Sequence, residues 1–160
     1  MTALSQFKEE IRSFLSQADS LEQALVHCEF PVQNRAAPLK RPVVAVGFES
    51  IAAKGGGLDN FLGEEETATL RGRELLLVLR LDIACPGSSG GSCCHDLFEA
   101  LSDRLLFTPN DFGIKKLWCE AIFFDKDSGA YRLTARAELT VLLHRREEEA
   151  AFTDFVLRQA

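Results

Sequence analysis

The chain has 160 residues, of which 46% are hydrophobic and 26% are charged, the composition of an ordinary globular domain with one core. Its formal net charge of −6 disfavours a protein that wraps nucleic acid, because phosphate contacts require clustered lysines and arginines. No apolar run approaches the roughly 20 residues of a membrane span, and residues 1–15 lack the pattern of a secretory signal. We therefore expect synthesis in a reducing cytoplasm, and five cysteines, an odd number, argue against a complete disulfide framework.

The first part of the chain predicts two helices and a strand. Apolar residues recur at helical spacing from Leu4 to Ala18, which indicates an amphipathic helix. A capping-box pattern begins at Ser20 and predicts a second, short helix through about Val26. Three prolines mark residues 29–42 as an extended connector, and residues 43–48 have the β-branched content of a strand.

A glycine-rich loop is predicted over residues 52–66. Leu58, Phe61 and Leu62 lie in it among glycines and acidic residues. Apolar side chains in a loop either pack back onto their own domain or insert into a neighbouring chain, and the sequence leaves both alternatives open.

The clearest strand covers residues 71–84. Alternate positions from Leu75 to Ile83 are all apolar, whereas the intervening positions are half charged and include Arg80. This period of two predicts one buried face and one face that is solvated or contacts another chain.

The remainder of the chain predicts a helix, a hairpin and a final helix. The middle helix begins after an N-cap at Ser92 and has an apolar stripe from Cys94 to Leu105. Two strands, over residues 117–123 and 131–143, flank a hairpin loop at residues 125–129. The last segment reads as a helix with Phe152, Phe155 and Val156 on one side.

These elements predict an α+β fold, a mostly antiparallel four-stranded sheet with helices packed on one face. The strand–helix–strand unit in the middle of the chain can add one crossover pair. We expect a single α+β domain over residues 1–145 and a C-terminal helical tail over residues 146–160.

Residues 85–95, CPGSSGGSCCH, contain the densest group of reactive side chains. Structural zinc sites use spaced cysteine pairs, whereas three consecutive residues on a helix point in directions about 100° apart and do not close on one ion. Cys93 at a helix N-terminus would be an activated thiol, but no motif supplies a positioned base. No Gly-Lys-Ser or Gly-Lys-Thr follows the glycines, and they do not form the GxGxxG pattern, so neither common phosphate-binding fingerprint is present. We interpret the stretch as a loop, an N-cap and a core cysteine, and predict no catalytic residue, metal site or cofactor.

The order of features resembles the tail-terminator and tail-completion proteins of long-tailed bacteriophages and prophages. The segments that carry this resemblance are PVVAVGFESI, GGGLDNFLG, ELLLVLRLDIACP, GGSCCHDLFEALSDRLL and FDKDSGAYRLTARAELTVLL. The resemblance covers about residues 1–145 and is judged by the order of helices and strands, because these families have no catalytic motif. The tail from Glu147 onward departs from the family pattern. The resemblance implies a mixed α/β sheet with helices on one face, and a ring, usually of six subunits, that caps the tail tube and joins it to the head.

On this resemblance we expect a non-enzymatic virion structural protein whose partners are other copies of itself, the tail tube protein and head–tail connector proteins. It would lie in the host cytoplasm during assembly and then in the virion tail, with no membrane contact and no sequence-specific binding of nucleic acid. Alternatives are another head–tail joining or tail-assembly protein, a generic adaptor, or a small enzyme that uses Cys93 with a distant histidine. The residues expected at its interfaces are Leu58, Phe61, Leu62, Arg71, Arg73, Arg80, Phe152, Phe155 and Val156.

Overall fold

A computed structural model of the protein describes residues 2–29, 39–55, 60–65, 68–148 and 151–159, with side chains described through residue 146. These residues form two α-helices and a sheet of eight strands. The helices are α1 (Ala3–Ser16) and α2 (Ser92–Phe107). The strands are β1 (Leu25–Cys28), β2 (Val43–Ala53), β3 (Phe61–Glu65), β4 (Ala68–Pro86), β5 (Ile114–Cys119), β6 (Phe123–Asp125), β7 (Ala130–Glu148) and β8 (Ala151–Gln159).

Two long strands, β4 and β7, form the centre of the sheet. They pair antiparallel without a register shift from Ala68 opposite Glu148 to Pro86 opposite Ala130. On one side β2 and β3 pair with β4, and β1 pairs with β2; on the other side β5, β6 and β8 pair with β7. The α+β prediction is confirmed, but the sheet has more than the four strands expected, and the pair of β1 with β2 is parallel. The middle unit adds no crossover pair, because β7 lies between β4 and β5.

Both helices pack on the same face of this sheet, which we call the inner face. The odd-numbered side chains of β4 and β7 form its floor, and the side chains of α1 and α2 complete one core. Leu77, Leu79 and Leu81 are 0% exposed, so the predicted alternation is confirmed. Full burial of such side chains contributes about 1.5–3 kcal/mol each. The predicted stripe of α2 is confirmed as well, with Cys94, Leu97, Leu101 and Leu105 buried and Phe98 packed against the core.

Arg104 joins the two helices. Its Nε donates a hydrogen bond to the carbonyl oxygen of Phe14 at 3.0 Å, and its guanidinium lies 4.0 Å from the centre of the Phe14 ring. The same ring packs edge-on against Phe112, with ring centres 5.1 Å apart. A cation and two aromatic rings therefore fix α1 against the end of α2.

Three local predictions in the first two-thirds of the chain are wrong. In place of a helix from Ser20 to Val26, a short 3-10 turn leads into β1, because pairing with β2 overrides local helix propensity. The predicted loop over 52–66 is partly strand, since the end of β2 and all of β3 pair along β4. The N-cap of α2 is Gly91, and Ser92 is the first helical residue.

Two predictions near the C-terminus also need correction. The strand expected over residues 117–123 is two strands, β5 and β6, with a break between them. The expected helical tail over 146–160 contains strand β8, which pairs antiparallel with residues 141–148 of β7. Because β7 continues to Glu148, it offers an open edge, and a following segment can satisfy that edge by adding a strand. The hairpin at 125–129 is confirmed, with Gly129 at a φ of 64°.

The described part of the chain contains no helix of the length and hydropathy needed to cross a bilayer.

We expect Leu79→Asp to unfold the protein, because it places a carboxylate in the centre of the buried face of β4, where Leu79 is 0% exposed. The cost of such a buried, unpaired charge is several kcal/mol. Chemical denaturation measures the loss, and Val78→Asp, one residue away on the opposite face, is the control with a clearly smaller effect. Similar losses for the two variants would contradict the assignment of the buried face.

Candidate assembly surface

The sheet continues at one end beyond its last fully buried inner pair, Leu75 and Val141. In this extension β3, residues 68–74 of β4, residues 142–148 of β7 and β8 form four antiparallel strands, which we call the arm. Along the inner face of β4 the leucines give way to arginines at 73 and 71. The arm therefore carries the periodicity of the core but the chemistry of a contact surface.

Three arginines meet on the inner face of the arm, and we call Arg71, Arg73 and Arg145 the arginine face. They line a cavity of about 220 Å³ together with Asn60, Gly72 and Leu143. Arg71 lies directly opposite Arg145 on β7. Like charges in directly opposed positions destabilise a sheet, and both arginines make further contacts within the chain. No residue of α1 or α2 and no carboxylate is among the described residues that line the cavity.

Asn60 orients the guanidinium of Arg73. Its Oδ1 accepts hydrogen bonds from Nε at 2.8 Å and from Nη2 at 2.6 Å. Asn60 has a φ of 62°, a left-handed conformation that asparagine tolerates better than most residues. Since the amide is uncharged, it fixes the guanidinium without neutralising it.

The two apolar residues at the start of β3 lie on opposite faces of the arm. Phe61 is opposite Arg71 and is 52% exposed, which places an exposed ring beside the arginine face. Leu62 occupies a register shift and lies over Gly72 on the outer face. A Cβ at Gly72 would stand 2.6 Å from Leu62 Cδ1 and 2.8 Å from the carbonyl oxygen of Leu143. Leu62 thus contacts its own domain over Gly72 and is still 46% exposed, while Phe61 is presented outward beside the arginines.

The other expected interface residues lie elsewhere. Arg80 is on the outer face, opposite in parity to Arg71 and Arg73, and pairs with Asp82 at 2.9 Å. Leu58 lies outside the described residues, and so do the side chains of Phe152, Phe155 and Val156. By backbone register these three β8 residues stand opposite Glu147, Arg145 and His144, respectively.

Sequence reasoning missed Asn60, Gly72 and Arg145 as parts of this surface. The signal that could have found the arginine face is parity, because Arg71 and Arg73 continue the odd-numbered series of Leu75 to Ile83. Arg145 continues the odd series of β7 in the same way. Nothing in the local sequence indicates the contact of Gly72 with Leu62, which depends on the pairing of β3.

The outer face of the sheet holds a network of paired charges. Arg136 donates two hydrogen bonds to Glu49, from Nε at 2.5 Å and from Nη2 at 2.9 Å, and a third to Glu120. An extra residue in β2, a β-bulge at Glu49, turns this carboxylate toward Arg136. The hydrogen bond from Arg136 holds the pKa of Glu49 below its ordinary 4.5. These charges satisfy one another within the chain.

We expect Arg136→Met to reduce the loss of stability in acid. A carboxyl group whose pKa is depressed in the folded state stabilises the fold fully above its unfolded pKa, and this contribution is lost as the pH falls through the folded pKa. For Glu49 the window lies below pH 4.5. Denaturation at a series of pH values measures how steeply the free energy of unfolding falls with decreasing pH, and Lys126→Met is the exposed control. Equal slopes for the wild type and the Arg136 variant would contradict the prediction.

The exposed side of α2 forms a second distinctive surface. Asp96, Glu99 and Asp103 are exposed at helical spacing, and we call them the acidic stripe. None of the three is in an ion pair with another described residue. The stripe leads to Leu106 and Phe107 at the end of the helix, which are 49% and 79% exposed. This surface therefore combines unpaired negative charge with an apolar tip.

A third exposed group lies at the opposite end of the sheet from the arm. Phe123 and Phe124 on β6 are 55% and 48% exposed, although the ring of Phe124 also packs on Tyr131, with centres 5.0 Å apart. Phe123 stands opposite Arg132, thirteen positions along β7 from Arg145. At about 3.3 Å per residue, this end is about 40 Å from the arginine face.

The cysteine-rich segment is placed in the core. Cys85 and Cys94 are 0% exposed, and Cys93 is partly buried against the same core. The pKa of the Cys85 thiol is raised above its ordinary value, mainly by a hydrogen bond with Cys94 and secondly by burial. Groups of His, Cys, Asp or Glu arranged to hold a metal ion do not occur in the described ranges. The interpretation of Cys94 as a core residue is confirmed, whereas the absence of enzymatic activity stays a prediction.

We expect Cys93→Ser to leave the free energy of unfolding nearly unchanged, within about 0.5 kcal/mol. The matched change Cys94→Ser should cost about 1–3 kcal/mol, because it places a hydroxyl in an apolar core. Chemical denaturation of both variants checks the difference. Rapid labelling of Cys93 by a thiol reagent at neutral pH, with Cys119 unlabelled, would instead favour a reactive role.

The chain matches no protein-family model and no curated protein. In structure it is similar to a chain of the "virion of native gene transfer agent (GTA) particle", with a TM-score of 0.42 and 14% sequence identity. The similarity covers 86% of this chain and 92% of that chain.

Proposed function

We propose that this protein is a non-enzymatic structural subunit of a phage-like particle, which assembles head-to-tail into a ring in the manner of the tail terminators that its sequence resembles. The observation that carries the proposal is the arm, whose inner face presents the exposed Phe61 and Arg73 beside two half-buried arginines, where the inner face of β4 is otherwise lined by buried leucines. An exposed surface that combines apolar and charged groups marks a site of contact with another macromolecule.

Head-to-tail assembly requires two unlike surfaces on each subunit, because each contact joins one surface to the other around a closed rotation. The arginine face of the arm and the exposed side of α2 are unlike in charge, because the first is lined by arginines and the second carries carboxylates. A two-fold dimer would instead need one self-complementary surface. The unlike pair therefore supports a ring or a filament over a simple dimer.

A tail-terminating ring also has contacts above and below its plane, with the tail tube on one side and the head on the other. Phe123 and Phe124, about 40 Å from the arginine face, supply a further exposed apolar group that contacts between neighbours do not require. We assign this end of the sheet to an axial partner. The net charge of −6 is compatible with a ring that lets DNA pass without holding it.

The experiment that tests the proposal is sedimentation over a concentration series, followed by negative-stain microscopy of the most concentrated sample. We expect weak self-association and ring-shaped particles, with longer-lived rings when isolated tail tubes are added. A chain that stays monomeric at millimolar concentration and with tail tubes, or that forms only tight two-fold dimers, would contradict the proposed function.

We expect Phe61→Ala to weaken self-association about tenfold, because truncation of an aromatic anchor at an interface commonly costs more than 1 kcal/mol. The unfolding midpoint should change little, since the Phe61 side chain is half exposed. Phe123→Ala is the matched control, with a similar exposure on a surface assigned to an axial partner. A variant that loses both stability and assembly would show that Phe61 packs within its own chain.

A further inference from the structure

We propose that the arm of one subunit binds the exposed side of α2 of the next copy, so that the arginine face accepts the acidic stripe. This inference rests on the proposed function and names the two surfaces that its head-to-tail contact joins. The occupant of the arm is thus a second copy of this chain, and the group that its arginines bind is a row of helical carboxylates.

The first support is the arrangement of layers. Over most of the sheet the inner face is covered by α1 and α2 of the same chain, and the odd-numbered side chains there are buried leucines. Past Leu75 the same face is lined by Arg71 and Arg73, and neither helix contributes to the cavity they line in the described part of the chain. A sheet face needs a covering layer, and a helix from a neighbour continues the layer that the chain's own helices begin.

The second support is charge. The arginine face brings three guanidinium groups to one cavity, and Arg73 donates its hydrogen bonds to the uncharged amide of Asn60. The acidic stripe brings three exposed carboxylates that have no ion-pair partner among the described residues. Arginine binds carboxylates through parallel N–H donors, which is the strongest common form of hydrogen-bonded ion pair.

The third support is spacing. Arg71 and Arg73 lie two residues apart on a strand, a distance of about 7 Å along its axis. Glu99 and Asp103 lie four residues apart on a helix, a distance of about 6 Å along its axis. A helix laid along the arm can therefore place successive carboxylates over successive arginines.

The fourth support is the apolar part of each surface. Phe61 borders the arginine face on the side of β3, and Leu106 and Phe107 extend beyond the end of the acidic stripe. A contact that pairs charges while it buries exposed rings gains from both. Phosphate of duplex DNA is the other polyanion that could meet three arginines, and binding of a labelled duplex is therefore one of the measurements of the test.

The test uses charge reversal on each surface in the full chain. Arg73→Glu and Glu99→Arg change exposed residues, so both variants should unfold at nearly the wild-type denaturant midpoint. Each alone should raise the dissociation constant of self-association at least about tenfold, because like charges are brought together in the contact. The matched controls Lys126→Glu and Glu22→Arg reverse exposed charges away from both surfaces and should associate as the wild type does.

The decisive samples combine the two changes. A 1:1 mixture of Arg73→Glu with Glu99→Arg should regain association, because every contact then joins either two native surfaces or two reversed ones. The double variant in one chain should regain it for the same reason. Sedimentation at about 50 mM and 500 mM salt should also show weaker association at high salt, since salt screens the attraction.

The outcomes separate this inference from the function it rests on. A wild-type chain that forms no ring overturns the proposed function itself. A wild-type ring that both single variants form equally well, or a mixture and a double variant that show no recovery, overturns only the pairing of these two surfaces. The chain could also bind a labelled DNA duplex, with binding abolished by Arg73→Glu and unchanged by Glu99→Arg. If the mixture then shows no recovery of association, the arginines bind phosphate and the pairing is overturned.

Discussion

Hydrogen bonding between β4 and β7 runs in one register from Ala68–Glu148 to Pro86–Ala130, and the other strands of the sheet depend on this ribbon. Each edge of the pair is divided between two or more partners, β2 and β3 on one side and β5, β6 and β8 on the other. Because the register does not shift, the odd-numbered side chains stay on one face throughout. The middle of that face becomes the core, and its far end becomes the arm.

The fold separates the residues that stabilise it from those that can bind. Leu77, Leu79 and Leu81 are sealed beneath the helices, while the same strand presents arginines once it passes Leu75. On the opposite face, Arg136 and Glu49 are paired within the chain, which leaves that surface polar and self-sufficient. A binding surface built from an extension of the core strands is held rigidly, since its backbone is fixed by the same ladder that holds the core.

The sequence predicted the elements that a regular apolar period defines and missed the strands that lack such a period. The alternation in β4 and β7 and the apolar stripe of α2 were readable, because burial on one face imposes a fixed period. Strands β1, β3 and β8 were not, since β1 has only four residues, β3 has no apolar alternation, and the apolar residues of β8 at 152, 155 and 156 stand at helical spacing. Arg71 and Arg73 were named from the sequence. That they share a cavity with Arg145 and Asn60 could not be predicted, because it depends on how β3, β4 and β7 pair.

The close approach of Leu62 and of the β7 backbone to Gly72 limits which residues position 72 can hold. A methyl group at position 72 would collide with the backbone carbonyl of Leu143 as well as with Leu62, so retreat of the leucine alone would not make room. The Leu143 carbonyl belongs to β7, so the pairing of β4 with β7 requires glycine at this site whether or not β3 is present. Any side chain at position 72 is thus opposed first by the central ladder itself, and Leu62 of β3 is a second obstacle.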